Sequence, residues 1–506
     1  GLLSIVVFVW GASSLASYFY RRAEKAAPQI SLLSRVAVLV AGAICIGLCL
    51  FGIRGRMGYN PIKVSQAYYC EDPFLNQLGV NPVFNLLTST LDDNRKENRT
   101  LHLMSEEDAL SKVQKYLHRQ GIDRLSPIAR KVEREGTPNR RNVVLVFMES
   151  MSANLMGTFG SDKKLTPYLD SLYQQSLSFS HFYSSGIHTN HGIYSTLYSF
   201  PAIMKRNAMK GSVIPVYSGL PTVLQENGYC NLFFMTHESQ YDNMNAFLRT
   251  NGFDEIYAQE NYPSEKVVNS FGVQDDFMYQ YALPILNERA GTGNPFFSVL
   301  LSISNHPPYV IPPYFHPHSD VLEEQIVEYA DWSIRQFMQA AEKQPWFDNT
   351  IFVFLGDHGK MVGTPECEMP QSYNHIPLMI YGKDIKPGVY DGFGGQVDVS
   401  PTLLGLLNIS YLQNNFGVNL LEEERPCMFF TADNLIGARD SVNMFIYSPD
   451  SQQEFKYKLE EGKLHAATGT DEEAFRNLKD YCFSMLQSTE SLVKEHKTLD
   501  KVSVKK

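Results

Sequence analysis

Two apolar runs open the chain. Leu2–Tyr20 and Val36–Ile53 carry no charged residue over about 19 and 18 positions, each near the ~20 residues needed to cross a bilayer. Both predict transmembrane helices; the first lacks the basic start and cleavage site of a signal peptide. The intervening RRAEKAAPQ carries Arg21, Arg22 and Lys25, which predicts a cytoplasmic loop. Arg54 and Arg56 pull the other way without reversing that orientation, so everything after about residue 57 is expected outside the cytoplasm. Ala109, Leu110, Val113, Tyr116 and Leu117 then recur at helical spacing, predicting a helix over Glu106–Leu117, with another near Val83–Leu91. From Asn142 the texture changes to short β-branched runs alternating with amphipathic segments. The runs predict strands at Val143–Met148, Leu232–Met235, Phe296–Ser302, Ile351–Leu355 and Leu378–Tyr381. Helices are expected over Thr166–Ser176, Thr222–Glu226, Asp275–Arg289, Val321–Ala341 and Val399–Leu407. Such spacings suit crossover connections in a layered α/β sheet. After about Gly417, antiparallel strands and a terminal helix over Glu472–Lys497 are expected, and DKVSVKK reads as a solvated tail. The organisation expected is a membrane region over 1–57, a helical connector over 58–138, an α/β domain over 139–416, a smaller α+β portion over 417–490 and a tail over 491–506.

At 506 residues the chain exceeds one compact core. Its hydrophobic content of 44% and charged content of 19% are ordinary for a globular protein. The net charge of −10 argues against nucleic acid as the main partner. Seven scattered cysteines form neither a disulfide scaffold nor a zinc pattern and read as packed thiols; an extracytoplasmic domain leaves room for one bridge. The chain begins at Gly1 inside an apolar run, which reads as a fragment with further sequence upstream.

Candidate chemistry sits at the ends of these predicted elements. The strand in NVVLVFMES stops at Glu149. Alone, that is a core strand followed by a solvated acid. IFVFLGDHGK supplies a second strand ending in Asp357 and His358, and GIHTNHG places Thr189 between His188 and His191 in a loop flanked by glycines. Two carboxylates and an imidazole suit Mn2+, Mg2+ or Zn2+, and a metal turns a nearby hydroxyl into a nucleophile. Thr189 is the best candidate, because glycine allows close backbone approach to a ligand. Ser185, Ser195 and Thr196 compete on spacing, and the loop by itself reads as carrying an ordinary hydroxyl. His306 in LSISNHPPY and His237 in MTHESQYDN both follow apolar strands, where open α/β sheets place ligand groups. His375 precedes a strand and reads as structural.

The stretches MES, LTPYLDSL, SGIHTNHGIYSTL, SISNHPPY, GDHGK and QVDVSPTLLGLL, in this order, resemble the lipoteichoic acid synthase and phosphoglycerol transferase branch of the alkaline phosphatase/sulfatase superfamily. The resemblance runs from roughly Ala67 to Asn408. It implies an α/β/α sandwich behind a multi-helix anchor in a bacterial cytoplasmic membrane, with the catalytic domain outside. It implies one divalent metal, Mn2+ first, held by Glu149, Thr189, Asp357 and His358, with Thr189 as nucleophile. His306, His237, Asn243 and His191 would line the substrate pocket. The implied donor is a phosphatidylglycerol-like phospholipid and the acceptor a glycan or glycolipid. One departure stands out. Where the family carries an arginine that grips glycerol phosphate, this chain reads Tyr241-Asp242-Asn243-Met244, and an arginine fork is the natural phosphate clamp.

Other readings share parts of this pattern. A sulfatase needs Cys or Ser in a C/S-x-P-x-R context, which His188-Thr189-Asn190-His191 does not supply. A two-metal phosphatase needs a second ligand set. A phosphoethanolamine transferase or a phosphodiesterase shares the architecture, and a membrane scaffold would need none of the ligands.

Overall fold

The computed structural model describes residues 10–11, 13–22, 31–57, 61–70, 73–93, 95, 98, 100–122, 125–211, 214–460, 462–467 and 472–500. It divides into two compact units, Gly1–Ile62 and Lys63–Lys506.

In the first unit, helix α1 spans Leu32–Arg54. Its segment Arg35–Arg54 has a mean hydropathy of 2.8 and none of it is buried. It is the one helix among the described residues long and apolar enough to cross a membrane. The other predicted span, Leu2–Tyr20, lies partly outside the described residues; within it residues 10–11 and 13–20 are helical.

The second unit is built on an eight-stranded sheet. Its strands in chain order are β1 (Asn142–Met148), β2 (Leu177–Tyr183), β3 (Cys230–Met235), β4 (Glu255–Tyr257), β5 (Phe296–Leu301), β6 (Thr350–Gly356), β7 (Leu378–Tyr381) and β8 (Gly388–Gly395). Their order across the sheet is β8-β2-β7-β6-β1-β5-β3-β4. All pairs are parallel except the two made by β7. Every residue of β1 and β6 is buried, as expected for central strands covered on both faces. Alternate β1 side chains feed opposite layers. Val143, Leu145 and Phe147 join one core with the helices Thr189–Tyr198 and Val399–Leu406. Val144, Val146 and Met148 join the other with the helices Asp275–Ala290 and Leu322–Ala341.

All five predicted strands are present. Three strands of the sheet carry no pattern that announces them. Leu177–Tyr183 has serines and a histidine among its aromatics, Glu255–Tyr257 is three residues long, and Gly388–Gly395 is an exposed, glycine-rich edge. The C-terminal portion forms a five-stranded antiparallel sheet over Met428–Ala466, against which Glu472–Lys494 packs. The described end of the chain is docked: Thr498 Oγ1 donates to Val216 O at 2.6 Å, and Ser218 Oγ donates to Asp500 Oδ1 at 2.7 Å. Residues 501–506 lie outside the described residues. The connector is pinned likewise. Leu101 N and Leu103 N donate to Glu490 and Gln487 of the terminal helix, and Lys63 N donates to Gln240.

Candidate metal and phosphoryl-transfer site

Strand register builds the site. Met148 pairs with Gly356, so Glu149 and Asp357 are each the first residue beyond adjacent parallel strands. Asp357 N donates to Met148 O at 3.2 Å, and Glu149 N donates to Ser302 Oγ at 3.0 Å. Both acids are buried, Glu149 at 2% and Asp357 at 0% exposure. Their remaining oxygens converge. One oxygen each from Glu149 and Asp357 and one nitrogen of His358 all lie within 4.8 Å of one another. His358 Nε2 is 3.5 Å from Asp357 Oδ2 and 3.7 Å from Glu149 Oε1. Its Nδ1 lies 2.8 Å from Gly359 O, which can only accept. In the neutral ring the proton therefore sits on Nδ1, and the Nε2 lone pair faces the carboxylates.

The chemistry of this trio fits a divalent cation. Asp357 Oδ1 accepts from Ser150 N and His358 N, both at 2.8 Å, yet its buried Oδ2 has no hydrogen-bond partner. Burial, and then the Asp357 charge, push the Glu149 carboxyl well above the usual carboxylate range. Two buried acids with one orphaned oxygen are costly unless a cation joins them. Glu149, Asp357 and His358 would hold it, with the Thr189 hydroxyl as the fourth neighbour.

Thr189 does not sit in a loop, as its glycine-flanked setting predicts. It is the first residue of the helix Thr189–Tyr198. Asn190 through Tyr198 are all buried, so the segment shows no amphipathic period, and Gly192, Ile193 and Thr196 are weak helix formers. The glycines serve packing. A Cβ on Gly192 would lie 2.2 Å from Asp357 O, and one on Gly186 would lie 2.3 Å from His191 Nδ1. Bare backbone thus lets the helix start abut the end of β6. Thr189 Oγ1 donates to Glu149 Oε2 at 3.3 Å. His191 N and Gly192 N both donate to His188 O, so the N–H groups of Thr189 and Asn190 are the ones that favour a phosphoryl oxygen there.

The other expected pocket residues divide. His306 follows β5, with Nδ1 2.6 Å from Pro307 O and its ring 4.3 Å from Phe271. Buried Asp275 holds this loop by accepting from Ile303 N and Ser304 N, and burial lifts its carboxyl to about 6. His237 is buried, its Nδ1 3.0 Å from Glu238 O and its ring 5.0 Å from Tyr241. Asn243 spends its amide on Met209 O at 2.8 Å. His191 is 1% exposed with both ring nitrogens unpartnered; burial, with His188 and His358 nearby, lowers it to about 3. Of the competing hydroxyls, Ser185 Oγ accepts from Ala202 N at 2.7 Å, and Ser195 and Thr196 are fully buried. His375 is structural, as expected, with Nε2 2.9 Å from Ser180 O.

Several neighbours are set by contacts between residues far apart in the chain. Asn190 Nδ2 donates to Asp242 Oδ2 at 2.9 Å, and Lys210 Nζ pairs with Asp242 Oδ1 at 3.2 Å. His188 Nε2 lies 2.5 Å from Asp433 Oδ1, in the C-terminal portion. Lys360, two residues beyond His358, reaches Asn305 Oδ1 at 2.5 Å; burial lowers its ammonium to about 8. Its place straight after the GDHG turn was the one available clue.

The chain is similar to known proteins along much of its length. The family model described as Sulfatase matches residues 141–409. The chain is 25% identical over 362 residues to the lipoteichoic acid synthase-like YvgJ of Bacillus subtilis, covering 65% of this chain and 56% of that protein. It is 24% identical over 400 residues to lipoteichoic acid synthase of Staphylococcus aureus, covering 70% and 58%. The chain thus spans a little over half the length of these relatives. A solved protein of the alkaline phosphatase superfamily from Vibrio parahaemolyticus superimposes with a TM-score of 0.70 at 25% identity, over 78% of this chain and 97% of that one. The lipoteichoic acid synthase LtaP from Listeria monocytogenes has the same fold, with a TM-score of 0.61 at 21% identity over 76% and 98%. With more than half its length matched and the alkaline-phosphatase-like sandwich in place, the chain belongs to the Sulfatase family.

Proposed function

We propose that the protein is a membrane-anchored, metal-dependent phosphotransferase. It moves phosphoglycerol, or a related head group, from a phosphatidylglycerol-like donor to an extracytoplasmic glycan or glycolipid. The observation that carries this reading is the Thr189 hydroxyl at a helix N-terminus, 3.3 Å from Glu149, whose carboxylate belongs to the Glu149–Asp357–His358 cluster. A sulfatase nucleophile context is absent from this position, and the relatives named lipoteichoic acid synthase point to phosphoglycerol as the group moved.

In this mechanism a divalent ion, Mn2+ by preference, would be held by Glu149, Asp357 and His358 and would supply Lewis acidity and lower the Thr189 hydroxyl's pKa. Thr189 Oγ1 attacks the donor phosphorus, forming the Thr189–phosphoryl ester as the bond to diacylglycerol breaks. The proton lost by the Thr189 hydroxyl is balanced by the one taken up at the departing diacylglycerol oxygen, and in the second step the acceptor hydroxyl's proton is balanced by the one Thr189 Oγ1 regains. An acceptor hydroxyl then attacks the ester, freeing Thr189. The N–H groups of Thr189 and Asn190, with His306 Nε2, stabilise negative charge on the phosphoryl oxygens. Helix α1 keeps the domain at the membrane outer face, which raises the effective donor concentration. The test is release of diacylglycerol from phosphatidylglycerol by the Mn2+-loaded protein. Thr189→Ala is expected to abolish it, and full activity in that variant would remove Thr189 from the nucleophile role.

A further inference from the structure

The stretch Tyr241–Met244 brings no cation to the site. Met244 is 0% exposed and starts a buried helical turn. Among neighbouring cations, Lys210 is committed to Asp242, and Lys63 Nζ sits over the Tyr241 ring at 5.7 Å. Lys360 differs from both. It leaves the same strand end as Asp357 and His358, and its Nζ makes one hydrogen bond, to the neutral Asn305 Oδ1. It forms no ion pair among the described residues. Asn305 in turn donates to Ser150 O at 3.0 Å, so Asn305, the residue before His306, ties the ammonium to Ser150, the residue after Glu149. Tyr309 covers it, 5.7 Å from ring centre to Nζ.

We infer that Lys360, aimed by Asn305, is the group that grips a non-bridging phosphate oxygen of the substrate. The inference rests on the site's taking a phosphoryl substrate, as proposed above. An ammonium has three donors, and Asn305 uses one. A partly buried cation without a paired counter-ion is stabilised when an anion arrives. Because it is a compact charge with no fork, Lys360 fixes the phosphate and leaves the head group free to vary.

The experiment is calorimetric binding of inorganic phosphate and of glycerol 1-phosphate to the full chain in detergent with saturating Mn2+. Lys360→Met keeps the side chain's length, and the Lys360 backbone contacts with Ser152 Oγ do not involve the replaced group. The variant is expected to bind both anions about 10- to 100-fold more weakly, the scale of one charge-assisted hydrogen bond. Mn2+ affinity should stay within about twofold, and Lys360→Arg should recover most of the lost affinity. Unchanged anion affinity in Lys360→Met overturns the inference, and so does a loss confined to glycerol 1-phosphate, which would make Lys360 a reader of the glycerol. If the protein binds both anions through Lys360 yet releases no diacylglycerol from lipid, the inference stands and the donor assignment falls.

Discussion

Glu149 and Asp357 confront each other in the interior, and their repulsion is held in place by the pairing of β1 with β6. Without metal, the pair destabilises the fold. Glu149→Gln should therefore raise the melting temperature in EDTA. With Mn2+ at about 100 times its dissociation constant, the parent protein should gain about 2.7 kcal/mol that the variant lacks, reversing the order. Thermal melts of both proteins in both conditions check the crossover. Gly192→Ala tests the packing of the helix Thr189–Tyr198. A methyl 2.2 Å from Asp357 O must move the helix or the strand end, at a cost of about 1–3 kcal/mol. Mn2+ affinity should fall with stability, and both are readable by calorimetry. Glu149, Asp357 and His358 were legible as ligand types at strand ends, and Thr189 as a candidate hydroxyl, though in a loop and not at a helix start. The amide of Asn243 goes to Met209 O and both His191 nitrogens are sealed in. Neither could be foreseen, because such commitments depend on residues distant in the chain.

At the scale of elements, central strands were legible because burial on both faces leaves continuous apolar runs such as Asn142–Met148. The helix Thr189–Tyr198 was not. It is buried all round, so its sequence has no polar face to set a period, and its glycines suggest a loop. The terminal helix Glu472–Lys494 shows another property invisible in sequence. Its Glu490 is 3% exposed and accepts from Leu101 N. Burial lifts the carboxyl from 4.5 to about 7. A raised folded-state value means that the folded protein holds this proton more tightly than the unfolded chain. The stabilising contribution is full below about pH 4.5 and is lost as pH rises through about 7, by up to about 3 kcal/mol. In denaturant titrations, the parent should lose stability relative to Glu490→Gln across that window; parallel curves would show that Glu490 titrates normally.

For the whole molecule, the separate compactness of Lys63–Lys506 predicts that this portion folds without the first 62 residues. It should retain Mn2+ affinity and act on a water-soluble glycerophosphodiester at near the full chain's rate. On phosphatidylglycerol in vesicles it should be slower, because it lacks the apolar helix α1 proposed to concentrate it at the lipid. Equal rates on vesicles would leave α1 without that role. The central claim is that Thr189 carries the transferred group. Its most direct measurement is peptide mass spectrometry of the full chain after incubation with Mn2+ and phosphatidylglycerol, without acceptor. The account predicts one glycerophosphoryl group on Thr189, absent from Thr189→Ala. Donor cleavage with no adduct on Thr189, or an adduct on another residue, would contradict it.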